Sequence, residues 1–224
     1  MPLVYQQNIN ATTKLGVWHI DEDEGFFLRQ VSLQREITHP HKRLQHLAGR
    51  YLLKELYPDF PYELIRIADT RKPFLENEVY HFSISHCGPY AAVMLSSDHR
   101  VGVDIELITP KVEKVKDKFL TIAEQQLLEG ICPDDPVLDP SVLLTAAWSI
   151  KESLFKWYGD KEVNFKDHLH IANISLHENE GIAACKFLKG ADVSLNVHFL
   201  FFNQNCISWV STSVFEIKPG RVLV

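Results

Sequence analysis

The chain has 224 residues, enough for one large domain or two smaller ones with cores of their own. At 46% hydrophobic and 23% charged residues, with 13 Phe and 4 Trp, the composition excludes a disordered chain. A formal charge of −6 and a pI near 6.0 argue against a nucleic-acid binder.

The opening stretch MPLVYQQNINATTKLGVWHI has neither the basic start nor the apolar run of a signal peptide. No apolar run approaches the roughly 20 residues that span a bilayer, so a cytoplasmic protein without membrane contact is expected. Cys87, Cys132, Cys185 and Cys206 lack CxxC spacing and read as free thiols of a reducing compartment. The histidines of HPHKRLQH are not accompanied by any zinc-ligand spacing.

In chain order, LGVWHI (15–20) reads as a strand, and residues 26–33 as a strand or the start of a helix. A helix is expected from Pro40 to Leu56, with Thr38 as N-cap and Pro40 in the first turn. YELIRIAD (62–69), YHFSIS (80–85), YAAVML (90–95) and VGVDIEL (101–107) alternate as strands do, and SHCGP reads as a turn. After ITPK the pattern turns helical in VEKVKDKFL and AEQQLLEG. A Pro/Asp-rich loop (132–140) and a long helix from Ser141 to Tyr158 follow. Strands resume at 171–177, 183–188, 194–202 and 207–215. The expected fold class is α+β, with two lobes, 1–108 and 109–224, each a helix packed on a mainly antiparallel sheet.

Three stretches could carry chemistry. In VGVDIEL, Val101, Val103 and Ile105 share one face of a half-buried strand, and Gly102, Asp104 and Glu106 share the other. Carboxylates two apart on a strand, with Cα atoms roughly 6.6 Å apart, can ligate one hard cation that cancels their repulsion. Gly102 is expected to leave open space beside them. An exposed edge-strand face would explain the same residues. In AAWSIKESLFKWY, Leu143, Ala147, Ile150, Leu154 and Tyr158 form an apolar arc flanked by Trp148 and Phe155. Glu152 lies at the border of that arc with Lys156 one turn on, a pair that suits either a cleft or an ordinary surface salt bridge. In HKRLQHLAGRYLLKEL, Arg43, His46, Arg50 and Lys54 fall within about 80° on the helical wheel. Such a stripe suits an anionic ligand or a solvated face. Lys72 in RKPFL and His86 in ISHC add phosphate-compatible side chains.

VGVDIE followed by WSIKESLFK closely resembles the paired signature of the 4′-phosphopantetheinyl transferases, in the larger pseudo-dimeric type of that superfamily. Upstream, RKPFL is similar to the family's G-K-P segment and FSISHC to its F-x-[IL]-S-H-S segment, in the family's order. Arg71 stands where the family often has Gly, and Cys87 where it commonly has Ser. The resemblance implies a monomer whose two lobes are alike and hold coenzyme A between them. It implies that Asp104, Glu106 and Glu152 bind Mg²⁺, with Mn²⁺ as the alternative ion. Lys156 would contact the phosphate undergoing transfer, and Lys72, His86, Arg43 and Arg50 would bind coenzyme A. Glu124, which matches a further family glutamate, also ends a Thr121-x-x-Glu124 capping box, and both readings stand.

The implied reaction carries 4′-phosphopantetheine from coenzyme A to a serine of an apo acyl or peptidyl carrier protein, releasing adenosine 3′,5′-bisphosphate. In it Asp104, Glu152 and Lys156 are the catalytic residues, with Glu152 as candidate base, and Lys114, Lys116 and Lys118 are candidate carrier contacts. A metal-dependent nucleotide phosphohydrolase and a non-catalytic coenzyme A-binding module are the alternatives.

Overall fold

Two antiparallel sheets lie back to back, and one long helix covers the outer face of each. They are seen in a computed structural model that describes residues 2–33, 35–69, 72–131 and 139–214. The first half begins with a hairpin of β1 (Leu3–Asn8) and β2 (Thr13–His19), then α1 (Glu24–Leu28) and α2 (Pro40–Leu56). A short ribbon of β3 (Arg66–Ile67) and β4 (Pro73–Phe74) precedes a second hairpin, β5 (His81–Cys87) and β6 (Tyr90–Ser96). The second half has β7 (His99–Leu107), α3 (Lys116–Phe119), α4 (Ile122–Glu129), α5 (Pro140–Tyr158) and α6 (Phe165–His168). It closes with β8 (Leu169–His177), β9 (Glu180–Phe187), β10 (Val193–Phe202) and β11 (Asn205–Ser213). The sheet orders are β1-β2-β6-β5 and β7-β11-β10-β9-β8.

The halves repeat one plan. A strand (β2 or β7) leads to the long helix (α2 or α5). A hairpin (β5–β6 or β10–β11) then returns its last strand to pair antiparallel with the first. The expected pair of similar α+β lobes is therefore what the chain forms. Leu47, Leu52, Leu53 and Leu56 of α2 pack on the first sheet, and Ala147, Ile150, Leu154 and Trp157 of α5 on the second. Leu15, Val17 and Met94 meet Val101, Val103, Ile105 and Ile207 in the core between the sheets.

Several local expectations change. Residues 62–69 alternate in hydrophobicity, yet they form a 3₁₀ turn (Tyr62–Leu64) and then the two-residue β3, and their apolar Leu64 and Ile67 stay exposed. The N-cap of α2 is His39, not Thr38. Pro40 has no N–H to offer and takes the first helical position, so the residue just before it caps, through His39 Nδ1 accepting from Lys42 N–H. VEKVKDKFL divides into a 3₁₀ turn and the four-residue α3. Helix α5 starts one residue earlier than expected, capped by Asp139, and ends at Gly159 with φ 75°, the left-handed geometry that glycine adopts without strain. Residues 132–138 of the expected loop, and Phe215 at the end of the last expected strand, lie outside the described residues.

Strand β7 is hydrogen-bonded along its length to β11, from His99 opposite Ser213 to Leu107 opposite Asn205. It could not extend the first sheet beside β6, because β2 and β5 already occupy both edges of that strand. Hydrogen bonding thus divides the two sheets between β6 and β7. Toward the first sheet, β7 is held by Ser83 of β5, whose Oγ accepts from Val103 N–H at 3.1 Å.

Candidate active site

The second face of β7 is closed, which corrects the expectation of a half-buried strand with open space at Gly102. A methyl group on Gly102 would lie 2.1 Å from the Ser153 carbonyl oxygen and 2.7 Å from Trp157 N. The missing side chain lets the backbone of α5 press onto β7, and this contact brings Glu152 and Lys156 down to Asp104. Asp104 is only 2% exposed. Its Oδ1 accepts from Lys156 Nζ at 2.6 Å and from Ser85 Oγ at 2.9 Å. Lys156 Nζ also donates to Ser85 Oγ at 2.8 Å, so one hydroxyl from the first lobe joins the acid and the base of the second. Asp104 Oδ2 is buried without a hydrogen-bond partner.

Glu106 accepts from Trp148 Nε1 at 3.1 Å, and burial with the nearby Asp104 charge pushes its carboxyl above the usual range. Burial, Asp104 and Glu106 push Glu152 up to about 7 against the opposing pull of Lys156. Three carboxyl groups therefore converge at one corner, with Lys156 as the cation among them. Among the described residues, no three His, Cys, Asp or Glu side chains are already drawn together as a ligand set for an ion.

A carboxyl with a raised folded pKa opposes folding as pH climbs from its ordinary 4.5 through about 7, and contributes no penalty below that window. Glu152→Gln should accordingly stabilise the protein at pH 8 in EDTA by about 2 kcal/mol, discounted for partial exposure, and leave it unchanged at pH 4. Thermal melts at the two pH values test this, and equal melting temperatures at pH 8 would contradict the crowding described.

The proposed nucleotide contacts are differently placed. His86 projects at the rim, its imidazole pushed below the usual range by desolvation and by Lys156. Lys72 donates to the Lys156 carbonyl at the end of α5 and lies over Gly159. Burial and then the Arg100 charge push its ammonium down to about 8. Lys72, Ile84, Phe155 and Lys156 line a cavity of about 180 Å³. Arg71 lies outside the described residues. The basic stripe on α2 does not act as one surface. Arg43 binds Glu24 through two hydrogen bonds of 2.8 Å and the Ile37 carbonyl through another, while Lys54 donates to the Gln30 carbonyl. Arg50 and His46 are instead buried.

Both carboxylate oxygens of Glu124 are engaged. One oxygen accepts from Thr121 N–H and Oγ1, completing the capping box, and the other accepts from Ile171 N–H and from Lys151 Nζ at 2.7 Å. Lys151, fully buried, also donates to the Phe119 and Phe165 carbonyls. Both side chains are spent on holding α3, α4, α5 and α6 together. Ser85 and Trp148 were not expected at the site. The alternation of FSIS does place Ser85 beside Ser83 on one face, and Trp148 is one turn before Glu152 on α5. The pattern lacked any sign of which neighbour each would meet.

Residues 100–206 match the family model described as the 4′-phosphopantetheinyl transferase superfamily. The chain is 36% identical over 118 residues to enterobactin synthase component D of Escherichia coli (strain K12), covering 51% of this chain and 54% of that protein. It is 30% identical over 123 residues to the protein of the same name from Salmonella typhi, covering 54% and 50%. It is 25% identical over 162 residues to 4′-phosphopantetheinyl transferase AcpT of Escherichia coli (strain K12), covering 68% of this chain and 80% of that one. The chain spans about half the length of the component D relatives it matches. The matched segment, just under half of the chain, holds Asp104, Glu106, Glu152 and Lys156, the residues that β7 and α5 bring together, and through it the chain is similar to the 4′-phosphopantetheinyl transferase superfamily.

Proposed function

We propose that the protein transfers 4′-phosphopantetheine from coenzyme A to a serine hydroxyl of an apo acyl or peptidyl carrier protein and releases adenosine 3′,5′-bisphosphate. The observation that carries this reading is the contact of β7 with α5, which sets Lys156 and Ser85 on Asp104 with Glu152 and Glu106 alongside. Asp104, Glu106 and Glu152 would hold a Mg²⁺ or Mn²⁺ ion. They fit it as hard oxygen donors, and the unpartnered Oδ2 of Asp104 is open to such a bond. When bound, the ion supplies positive charge to the pyrophosphate.

Glu152, beside Asp104 and Glu106 at the carboxylate corner, would take the proton of the serine hydroxyl as its oxygen bonds to phosphorus. The bond to the departing nucleotide phosphate breaks at the same centre, and Lys156 donates to the charge that develops there. His86, Arg50 and Lys72 would steady the nucleotide's phosphates. Arg43 would have to release Glu24 and a carbonyl to join them, so its part here is to brace α2 against α1. The carrier would dock on the face of Lys114, Lys116 and Lys118, next to Ile122, which is 76% exposed. Both walls of the site come from one chain, in keeping with a monomeric enzyme.

The test is incubation with coenzyme A, Mg²⁺ and several apo carriers, followed by intact-mass measurement of the carrier. One phosphopantetheine added per carrier is expected. No adduct on any carrier sinks the reading. Phosphate or nucleotide released without a carrier would favour a phosphohydrolase, and coenzyme A bound without turnover a binding module.

A further inference from the structure

Strand β7 is the outermost strand of its sheet, so the backbone groups on its free edge need partners from outside the ladder. Val103, fully buried, turns both of its groups toward β5. Its N–H donates to Ser83 Oγ at 3.1 Å. Its carbonyl oxygen lies 3.5 Å from the same hydroxyl, which can turn its hydrogen there. One serine thus stands in for the strand residue that the edge lacks. Two residues on, the same face of β5 presents Ser85, whose Oγ donates to Asp104 Oδ1 at 2.9 Å and accepts from Lys156 Nζ at 2.8 Å. The two contacts differ in kind. Asp104 and Lys156 offer side chains, which can follow Ser85 if it moves. Val103 offers backbone locked into the ladder with β11, and β5 is itself paired with β6 from His81 to Cys87. The apolar core between the sheets is non-directional and does not choose a register. The Ser83 bond ties one rigid strand to the backbone of the other through a side chain with a single heavy-atom rotor.

We propose that Ser83 is a positioning residue for the transfer. By holding the Val103 backbone it fixes β5 along β7, and so sets Ser85 at the point where it joins Asp104 to Lys156. The kinetic consequence rests on the transferase reading, and the geometric one does not. A hydroxyl is needed because Val103 presents a donor and a carbonyl together, and serine can accept from one and donate to the other. With alanine, a buried N–H would lose its partner, a cost that β5 relieves by shifting until Val103 meets water or another acceptor. Ser85 rides on the same strand, about 6.6 Å further along, and moves with it.

A double-mutant cycle on the rate of carrier modification tests the link. Ser83→Ala should slow the reaction by about tenfold, the scale of one buried hydrogen bond, and Ser85→Ala by at least as much. The double variant should lose less than about twofold beyond Ser85→Ala. Losses that multiply would mean that Ser83 only stabilises the fold, and a Ser85→Ala protein with the wild-type rate would cut the link. Either result overturns the proposal. The Lys156 ammonium resonance, followed by ¹⁵N NMR without coenzyme A, metal or carrier, gives a second reading that fold stability alone does not move. In Ser83→Ala it should shift in the same direction as in Ser85→Ala, and an unmoved resonance in a folded Ser83→Ala protein overturns the proposal. Should the alanine variant fail to fold, Ser83→Cys keeps the shape and weakens both bonds, so it must still move the resonance or the proposal falls. If no carrier is modified while the resonance follows Ser83, the transferase reading alone falls.

Discussion

Gly102→Ala should destabilise the protein by about 3 kcal/mol and slow carrier modification by at least about 100-fold. The added methyl meets the Ser153 carbonyl oxygen at 2.1 Å and Trp157 N at 2.7 Å, and both are backbone atoms of a helix. Overpacking costs about 1–3 kcal/mol where side chains can rotate aside, and here nothing can rotate. Helix α5 must back away from β7, carrying Glu152 and Lys156 with it. A displacement of about 1 Å at a reacting centre costs on the order of 100-fold in rate. Urea unfolding and the modification rate together test the prediction. Gly130→Ala is the control, since its methyl would meet nothing nearer than 3.5 Å. Equal losses in the two variants would mean that the contact between β7 and α5 does not set the site.

Asp104→Asn should lower turnover by about 1,000-fold, a loss typical of removing one preorganised charge from a reacting centre. The amide can keep the hydrogen bond from Ser85 but gives Lys156 no anion to face. The same change carries an electrostatic signature. The Asp104 charge helps hold Glu152 at about 7, while Lys156 pulls the other way. Removing the aspartate charge must therefore lower the pKa of Glu152, which ¹³C NMR titration of the glutamate carboxyls in EDTA can follow. Unchanged turnover, or a Glu152 midpoint that stays in place, would remove Asp104 from the role argued for it.

Much of this site could be read from periodicity, since alternation paired Asp104 with Glu106 and helical spacing paired Glu152 with Lys156. The extent of α5 was legible to within one residue at its start, where Pro140 takes the first helical position rather than the end of the loop. Periodicity reports which residues share a face and is silent on what covers it. That is why β7 looked half-open when α5 covers it, and why residues 62–69 looked like a strand when Ile65 alone turns into the core and Leu64 and Ile67 stay exposed. Arg43 shows the same limit for charge. Its stripe on the wheel was evident, but its capture by Glu24, 19 residues away, depends on how α1 docks.

The repeated plan of the two halves has a counterpart in their opening strands. Lys14-Leu15-Gly16-Val17-Trp18 in β2 corresponds to Arg100-Val101-Gly102-Val103-Asp104 in β7, with Gly16 opposite Val93 and Gly102 opposite Val210. Both glycines sit under their long helix, where a methyl on Gly16 would lie 3.1 Å from the Leu56 side chain. Where the second half has an acid, the first has Trp18, edge-on to Tyr51 and bonded to Glu22. A molecule built from two matching units thus has two equivalent corners and has made them unequal. One is sealed with an aromatic plug and serves as foundation, which leaves the other free to concentrate charge that a lone unit could not enclose.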